Sequence, residues 1–410
     1  MQNPGSKRTP QHSANSDSTR SHFTFPLGMV TILFFIWGFL TCMNDLLIPY
    51  FKKAFILSNF EVMLVQTAFF AAYFVGALAY FLISASSGDP IARIGYKNGL
   101  LIGLGISGLG AMIFYPAAVL VSYPVFLLGL FVLGLGFTML QISANPYVAA
   151  LGSEKTASSR LNLSQGFNSL GTTLAPIVGS ILIFAHISDD SAPADNVKVP
   201  YLVIGGILIL VGIVFSFLKL PKIESSGDVE RKPISLKFRH VRYGMGAIFF
   251  YVGAEVAIGS MLILFFELPE IGGMPEEVAS LYVAIYWGGA MIGRFMGAII
   301  LSQLPDMTRK VLLMAGVGLG CFFLIMGSIR FKEPGFGFEQ MWPFLVLMVL
   351  NFGAFFLGRS MPARTLAIFA IAAIGLLIVT IFADAEMAIW AVIGIGLFNS
   401  VMWSNIFTLA

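Results

Sequence analysis

Residues 141–173 read QISANPYVAALGSEKTASSRLNLSQGFNSLGTT, a run of amides and hydroxyls between two strongly apolar segments. Gln141 and Asn145 are four residues apart, so they share one face of a helix. A second polar face follows helical spacings of three and four residues and is formed by Asn162, Gln165, Ser169 and Thr172. An unpaired amide costs several kcal/mol in lipid, so these side chains must face partners, water or a ligand inside a helical bundle.

Amides and hydroxyls both donate and accept hydrogen bonds, which suits a neutral polyol better than an ion alone. For any one residue, hydrogen bonding between transmembrane helices is an equally good explanation. Two neighbouring helices that are both lined in this way favour a substrate cavity.

The composition is that of a polytopic membrane protein. Of 410 residues, 57% are hydrophobic and 11% are charged, which is more apolar surface than a soluble chain of this length can bury. Cys42 and Cys321 lie in apolar segments far apart and indicate neither a disulfide nor a metal site. The four His lie in tails and loops and form no ligand cluster. We therefore expect no cofactor and no nucleic-acid partner.

Apolar runs of spanning length predict an all-α, two-bundle transporter with about twelve membrane spans. They lie at about 27–48, 60–84, 98–117, 124–148, 162–185, 200–218, 243–266, 278–302, 311–329, 341–358, 364–382 and 386–409. The predicted organisation is a disordered cytoplasmic tail (1–24), a six-helix bundle (25–218), a charged cytoplasmic linker (219–242) and a second bundle (243–410).

Lys and Arg are unequally distributed over the loops. If the N-terminal tail is inside, the inside segments and the linker hold most of the basic residues, whereas the outside loops are acidic. The positive-inside rule therefore predicts a cytoplasmic N-terminus.

Three ionisable residues fall within predicted spans, where each is costly and hence a functional candidate. Asp45 lies near the outer end of the first span, where an aspartate that reaches water is the alternative explanation. Glu255 lies well inside the first span of the second half. Arg294 is flanked by glycines and is expected to pair with Glu255 or another carboxylate in a structural or gating role, with contact to the ligand as the alternative. A carboxylate in a symporter either carries a proton or holds Na⁺.

The loop GDPIARIGYKNG carries Asp89 and Arg93 beside glycines. It resembles a degraded form of the loop signature of the major facilitator superfamily, which gives these two residues a structural or gating role. The alternative is an ordinary basic cytoplasmic loop.

Stretches along the whole chain resemble the fucose:proton symporter family of that superfamily. The chain is most similar to its bacterial glucose/galactose branch, with the N-acetylglucosamine permeases as near relatives. The matching stretches are FFIWGFLTCMNDLLIP, QTAFFAAYF, LQISANPYVAALG, TASSRLNLSQGFNSLGTTLAP, YVGAEVAIGS, LYVAIYWGGAMIGRF and GLFNSVMWSNIFTLA. The resemblance implies import of a neutral hexose by cation symport and alternating access, in a bacterial inner membrane.

The resemblance also implies roles for residues. Asp45 stands where the fucose symporters have an aspartate linked to proton coupling, whereas Gln141 replaces their glutamate and cannot carry a proton. The glucose/galactose branch is similar in having Gln at 141 and Glu at 255, and some of its members are sodium-coupled. Na⁺ at Asp45 or Glu255 is therefore favoured over H⁺. The expected sugar-binding residues are Asn44, Gln141, Asn145, Asn162, Gln165, Asn168, Trp287, Asn399 and Trp403.

Three features depart from the family. Two apolar spans at about 311–358 resemble an inserted helix pair, and the chain stops at Ala410, where the family would continue into two more helices. Trp403, Ser404 and Asn405 also replace a region in which a proline normally follows the aromatic residue.

Other functions stay open at this point. They are an N-acetylglucosamine or fucose permease coupled to H⁺, a drug or metabolite antiporter, and a membrane sugar sensor that does not transport. No nucleophile–base pair or nucleotide loop is evident, so an enzyme is not expected. The expected partners are a small sugar and the lipid bilayer, and the expected state is a monomer.

Overall fold

The computed structural model describes residues 14–179, 195–223 and 234–410. The helices of the first half are α1 (Ala14–Ala54), α2 (Asn59–Ser87), α3 (Pro90–Ile94), α4 (Tyr96–Met112), α5 (Phe114–Val119), α6 (Tyr123–Ala150), α7 (Ala157–Gly179) and α8 (Asp195–Phe217). Those of the second half are α9 (Arg239–Glu267), α10 (Glu276–Ile300), α11 (Met307–Lys332), α12 (Phe338–Leu357), α13 (Pro362–Phe382), α14 (Ala385–Asn399) and α15 (Met402–Leu409).

In the described residues, eleven helical segments are long and apolar enough to cross a membrane. Helices α4 and α5 together form one of them, and α14 and α15 together form another. The polar α7 is the twelfth long helix. The predicted all-α fold with about twelve spans is thus confirmed. Helix α1 begins within the predicted tail, and α9 begins within the predicted linker; residues 1–13 and 224–233 of these segments lie outside the described residues.

We name the two ends of the bundle by their connections. The inner end carries the α2–α3, α6–α7 and α10–α11 connections, and the outer end carries the α1–α2, α9–α10 and α11–α12 connections. These names follow the orientation that the basic residues predict.

Several basic residues at the inner end bind carbonyls at the C-terminal ends of neighbouring helices, where the helix leaves them without backbone partners. Lys97 Nζ donates to the Ser216 carbonyl in the last turn of α8 and to the Leu218 carbonyl just after it, at 2.7 and 2.8 Å. Arg160 donates to the last turn of α6. Lys310, which is buried, donates to the Ile300 carbonyl at 2.8 Å. Some of the basic residues that predict the orientation therefore also link the ends of neighbouring helices.

Each half has its own hydrophobic core. In the first half α1 packs on α7, while α6 packs on α2 and α4; in the second half α14 packs on α10 and α13. The halves meet through α7, which packs along α10 and near α15. The predicted polar helix α7 therefore lies at the junction between the two cores.

The α1–α7 crossing depends on two glycines. A Cβ on Gly38 of α1 would collide with the Asn168 backbone carbonyl of α7, and one on Gly171 would collide with the Phe35 carbonyl of α1. Because both obstacles are backbone, neither can move aside as a flexible side chain does.

We expect Gly38→Ala to destabilise the protein by about 1–3 kcal/mol, the usual cost of overpacking. Gly105→Ala is the matched control, because a Cβ there meets no atom within 4 Å. Thermal unfolding of the two purified variants in detergent tests this. Equal unfolding temperatures for both variants would show that α1 and α7 accommodate the added Cβ without loss of stability.

Candidate functional site

The predicted polar residues of α6 and α7 lie inside the protein. Asn145, Asn162, Gln165 and Ser169 are buried, and Gln141 is half-buried. Four buried amide atoms have no hydrogen-bond partner among the described residues: Asn44 Nδ2 of α1, Asn145 Oδ1 of α6, Asn162 Oδ1 of α7 and, in the second half, Asn351 Oδ1 of α12. A buried polar atom left unsatisfied costs about 1–3 kcal/mol. These atoms are therefore suited to water or to a polar ligand.

Gln141 belongs to a polar cluster on the first half. Its side chain and that of Thr41 interact with the hydroxyl of Tyr73, which also accepts a hydrogen bond from Trp37 Nε1 at 3.0 Å. The cluster brings together α1, α2 and α6 and combines an indole with amide and hydroxyl groups. Such a surface can stack on a pyranose and bond its hydroxyls.

Asn44 and Asp45 are adjacent in sequence but face different surroundings. Asn44 is buried in the first half, where its Oδ1 accepts a hydrogen bond from the Tyr201 hydroxyl at 3.3 Å. Asp45 is exposed, and its Oδ1 accepts from Gln66 Nε2 at 2.7 Å. The carboxylate is thus accessible on the part of α1 that leads to the outer end.

Asn168 serves the packing of α1 on α7, because its Nδ2 donates to the Phe34 carbonyl at 3.0 Å. Asn162 instead reaches across the junction. Its Nδ2 donates to the Ser158 carbonyl at 2.8 Å and lies 3.3 Å from Asn405 Oδ1 of α15. The two amides that sequence grouped together therefore contact different halves of the protein.

Glu255 and Arg294 form the predicted ion pair. Arg294 Nη2 lies 3.5 Å from Glu255 Oε1, and the two side chains are 12% and 13% exposed. The Tyr251 hydroxyl lies 2.8 Å from the same carboxylate oxygen. Arg294 also bonds the Ser169 hydroxyl of α7. The guanidinium group thus joins Glu255 in the second half to the polar face of the first.

Asn399 and the predicted aromatic residues lie on the second half. Asn399 Nδ2 lies 3.4 Å from the Tyr286 hydroxyl, and Trp287 packs edge-on against Tyr286. Trp403 stacks on Phe407 with 5.2 Å between ring centroids, and both rings pack against the core of the first half. Trp403 therefore lies at the junction, whereas Trp287 stays within the second half.

Three hydrogen bonds connect the halves near the inner end. Ser158 Oγ lies 2.5 Å from Thr408 Oγ1, Ser159 Oγ donates to the Ala298 carbonyl at 2.5 Å, and the third is the bond between Asn162 and Asn405. We call α15, with these contacts and the Trp403–Phe407 stack, the inner gate. The serine and threonine contacts are not predictable from the sequence, because they join positions far apart in the chain.

Asp89 and Arg93 lie away from these groups. Asp89 caps α3, since its Oδ1 accepts a hydrogen bond from the Ile91 amide at 2.9 Å and another from the Tyr80 hydroxyl. Arg93 is exposed in the last turn of α3. The loop therefore has a defined structure, with Asp89 as its helix cap. Within the described ranges, no three His, Cys, Asp or Glu side chains converge to hold a metal ion.

Comparisons with known proteins agree with this architecture. The sequence pattern of the Major Facilitator Superfamily matches residues 28–366. A glucose/galactose transporter of Brucella abortus is 37% identical over 398 residues, covering 96% of this chain and 81% of the relative. The L-fucose-proton symporter of Escherichia coli is 33% identical over 306 residues, 68% of each chain.

A solved structure has the same fold. It is a major facilitator transporter in its outward conformation, the fucose transporter FucP, with a TM-score of 0.71 and 27% identity over 94% of this chain and 84% of that chain. The chain therefore belongs to the Major Facilitator Superfamily, in the group that includes the glucose/galactose transporters and the fucose:proton symporters.

Proposed function

We propose that the protein imports a neutral hexose of the glucose/galactose type by cation symport, with Na⁺ favoured over H⁺. The observation that carries this proposal is the set of buried amide atoms without partners on α1, α6 and α7, in a chain with relatives named glucose/galactose transporters. A sugar offers hydroxyls that both donate and accept, which is what free amide nitrogens and oxygens require. An enzyme is not part of the proposal.

In this proposal, the residues that bind sugar are those predicted from the sequence. They form two groups, one in each half of the protein. The polar cluster around Tyr73 and the buried amides of α6 and α7 supply the first half of the cavity wall. Asn399 and Trp403 supply the second half. Asn168 and Trp287 support these walls by packing, since Asn168 already bonds Phe34 and Trp287 lies against Tyr286.

The cation would bind at Asp45 or Glu255, because carboxylate and amide oxygens suit hard cations. Asp45 is accessible and has the Gln66 amide beside it. Gln141 cannot carry a proton, so a two-carboxylate proton pathway through that position is absent from this chain. This substitution is what favours Na⁺.

The contacts at the inner end support an outward-facing state. Three interhalf hydrogen bonds and an aromatic stack close the inner gate, while Asp45 towards the outer end is exposed. In this proposal the N-terminus is cytoplasmic, the inner end faces the cytoplasm of a bacterial cell, and the protein acts as a monomer. The two halves would alternate access by tilting about the α7–α10 junction.

In this proposal, α11 and α12 are a pair of helices inserted into the second half. The packing of α14 on α10 and α13 repeats that of α6 on α2 and α4, and α11 and α12 fall outside this correspondence. The pair packs beside α10. Lys310, in the first turn of α11, donates a hydrogen bond to the Ile300 carbonyl at the end of α10. It would therefore enlarge the second half without lining the junction.

Equilibrium binding of labelled glucose to the purified protein, with Na⁺ or with choline as the cation, tests this function. We expect Na⁺ to increase the affinity, and galactose to compete while mannitol does not. Stronger competition by fucose or N-acetylglucosamine would reassign the substrate. Absence of binding by any of these sugars would contradict the hexose proposal.

A further inference from the structure

The helix that ends in the inner gate is interrupted at residues 400–401, between α14 and α15. Side chains from three other helices bind carbonyls at this break. Asn351 Nδ2 of α12 donates to the Leu397 carbonyl at 3.2 Å. The Tyr251 hydroxyl of α9 donates to the Asn399 carbonyl at 2.8 Å, and Arg294 Nε of α10 donates to the Ser400 carbonyl at 3.2 Å. An interrupted helix at membrane depth requires such partners.

Two of these three donors are also the partners of Glu255. The Tyr251 hydroxyl lies 2.8 Å from Glu255 Oε1 and 2.8 Å from the Asn399 carbonyl. A phenol has one proton, so it can serve only one of these acceptors at a time. Arg294 differs from Tyr251, because it meets the Glu255 carboxylate, the Ser400 carbonyl and the Ser169 hydroxyl with three different nitrogens and serves all three at once. Whether Glu255 has another partner therefore decides which acceptor the Tyr251 hydroxyl serves.

The segment beyond the break is the inner gate itself. Asn405 and Thr408 of α15 bond α7, and the Trp403–Phe407 stack packs on the core of the first half. A change in the direction of α15 at the break would therefore open or close the contacts between the halves.

We propose that Tyr251 is a positioning residue that transmits cation binding at Glu255 to the inner gate through the α14–α15 break. The inference rests on the proposed cation symport. Na⁺ at Glu255 satisfies the carboxylate, so the Tyr251 hydroxyl turns to the Asn399 carbonyl. The break is then held in the geometry that keeps α15 against α7.

Release of Na⁺ reverses this exchange. Glu255 again accepts the hydrogen bond of the Tyr251 hydroxyl, and the Asn399 carbonyl loses its donor. The break then rearranges, and α15 leaves α7. Cation binding thus favours the outward-facing state, which is the state that accepts sugar from outside.

The test is Tyr251→Phe, which removes the shared hydroxyl and keeps the ring. Spin labels at Lys155→Cys and Leu409→Cys, in a protein with Cys42→Ala and Cys321→Ala, report the distance across the inner gate; both labelled positions are exposed. We expect Na⁺ to change the ratio of closed to open gate about tenfold in the parent and less than about twofold in Tyr251→Phe. The control is Tyr282→Phe, which removes a tyrosine hydroxyl from α10 rather than from α9. We expect it to respond as the parent does.

Protection of Tyr251→Phe by Na⁺ against heating shows that the cation site is intact in the variant. A parent-like gate response in Tyr251→Phe would overturn the inference and leave the proposed function standing. A parent whose transport and gate both ignore Na⁺ would instead overturn the sodium proposal and, with it, this inference.

Discussion

Asp45→Asn is expected to abolish concentrative uptake while exchange of sugar across the membrane continues. One cation that crosses 100 mV supplies about 2.3 kcal/mol. Because about 1.4 kcal/mol corresponds to a tenfold ratio, this supports roughly fifty-fold accumulation of a neutral sugar. Asn keeps the size and the contact with Gln66 but loses the charge that, in the proposed mechanism, holds the cation. Uptake should then stop when the inside and outside concentrations are equal.

Proteoliposomes allow both quantities to be measured in one preparation. Net accumulation is followed under an imposed cation gradient, and exchange is followed with sugar on both sides. Asp384→Asn is the matched control, because Asp384 caps α14 and Asn is an equally good helix cap. Accumulation by Asp45→Asn to the level of the parent would remove Asp45 from the coupling mechanism.

Arg294→Gln is expected to have the largest effect on stability. It leaves Glu255 with an uncompensated charge inside the bundle, and breaking a buried ion pair in this way costs about 3–5 kcal/mol. Both side chains remain 12–13% exposed, so solvent partly screens the charge that is left. We therefore expect a loss at the lower end of that range. The variant also loses the bonds to Ser169 and to the Ser400 carbonyl, so transport should fall with stability.

The double variant Glu255→Gln/Arg294→Gln separates the two effects. It removes both charges together, so we expect most of the lost thermal stability to return while cation-driven transport stays absent. Thermal unfolding in detergent and uptake into proteoliposomes are the two readouts. If the double variant unfolds as early as Arg294→Gln, the ion pair is not the source of the lost stability.

The sequence predicts the helices well because each apolar run must be long enough to cross the bilayer. Even the polar α7 is recognisable, since its amides follow a helical spacing. The break at residues 400–401 is not predictable in this way. No proline or glycine marks it, and the side chains that bind its carbonyls come from Asn351, Tyr251 and Arg294, which lie on three other helices.

The candidate site is predictable as a set of residue types but not as a set of contacts. The pairing of Glu255 with Arg294 is expected from charge alone, and Tyr251 could be found as the residue one helical turn before Glu255. The different contacts of Asn162 and Asn168 could not be predicted from the sequence, because both residues lie on the same polar helix. Asn168 bonds α1, whereas Asn162 bonds α15 across the junction.

Uptake of labelled glucose into proteoliposomes, under an imposed Na⁺ gradient or an imposed pH gradient, tests the central claim most directly. The account predicts accumulation above equilibrium with the Na⁺ gradient, inhibition by galactose, and no accumulation with the pH gradient alone. Accumulation driven only by the pH gradient would contradict sodium coupling and would require Asp45 or Glu255 to carry the proton without help from Gln141. No accumulation of any hexose under either gradient would contradict the assignment as a cation-coupled sugar importer.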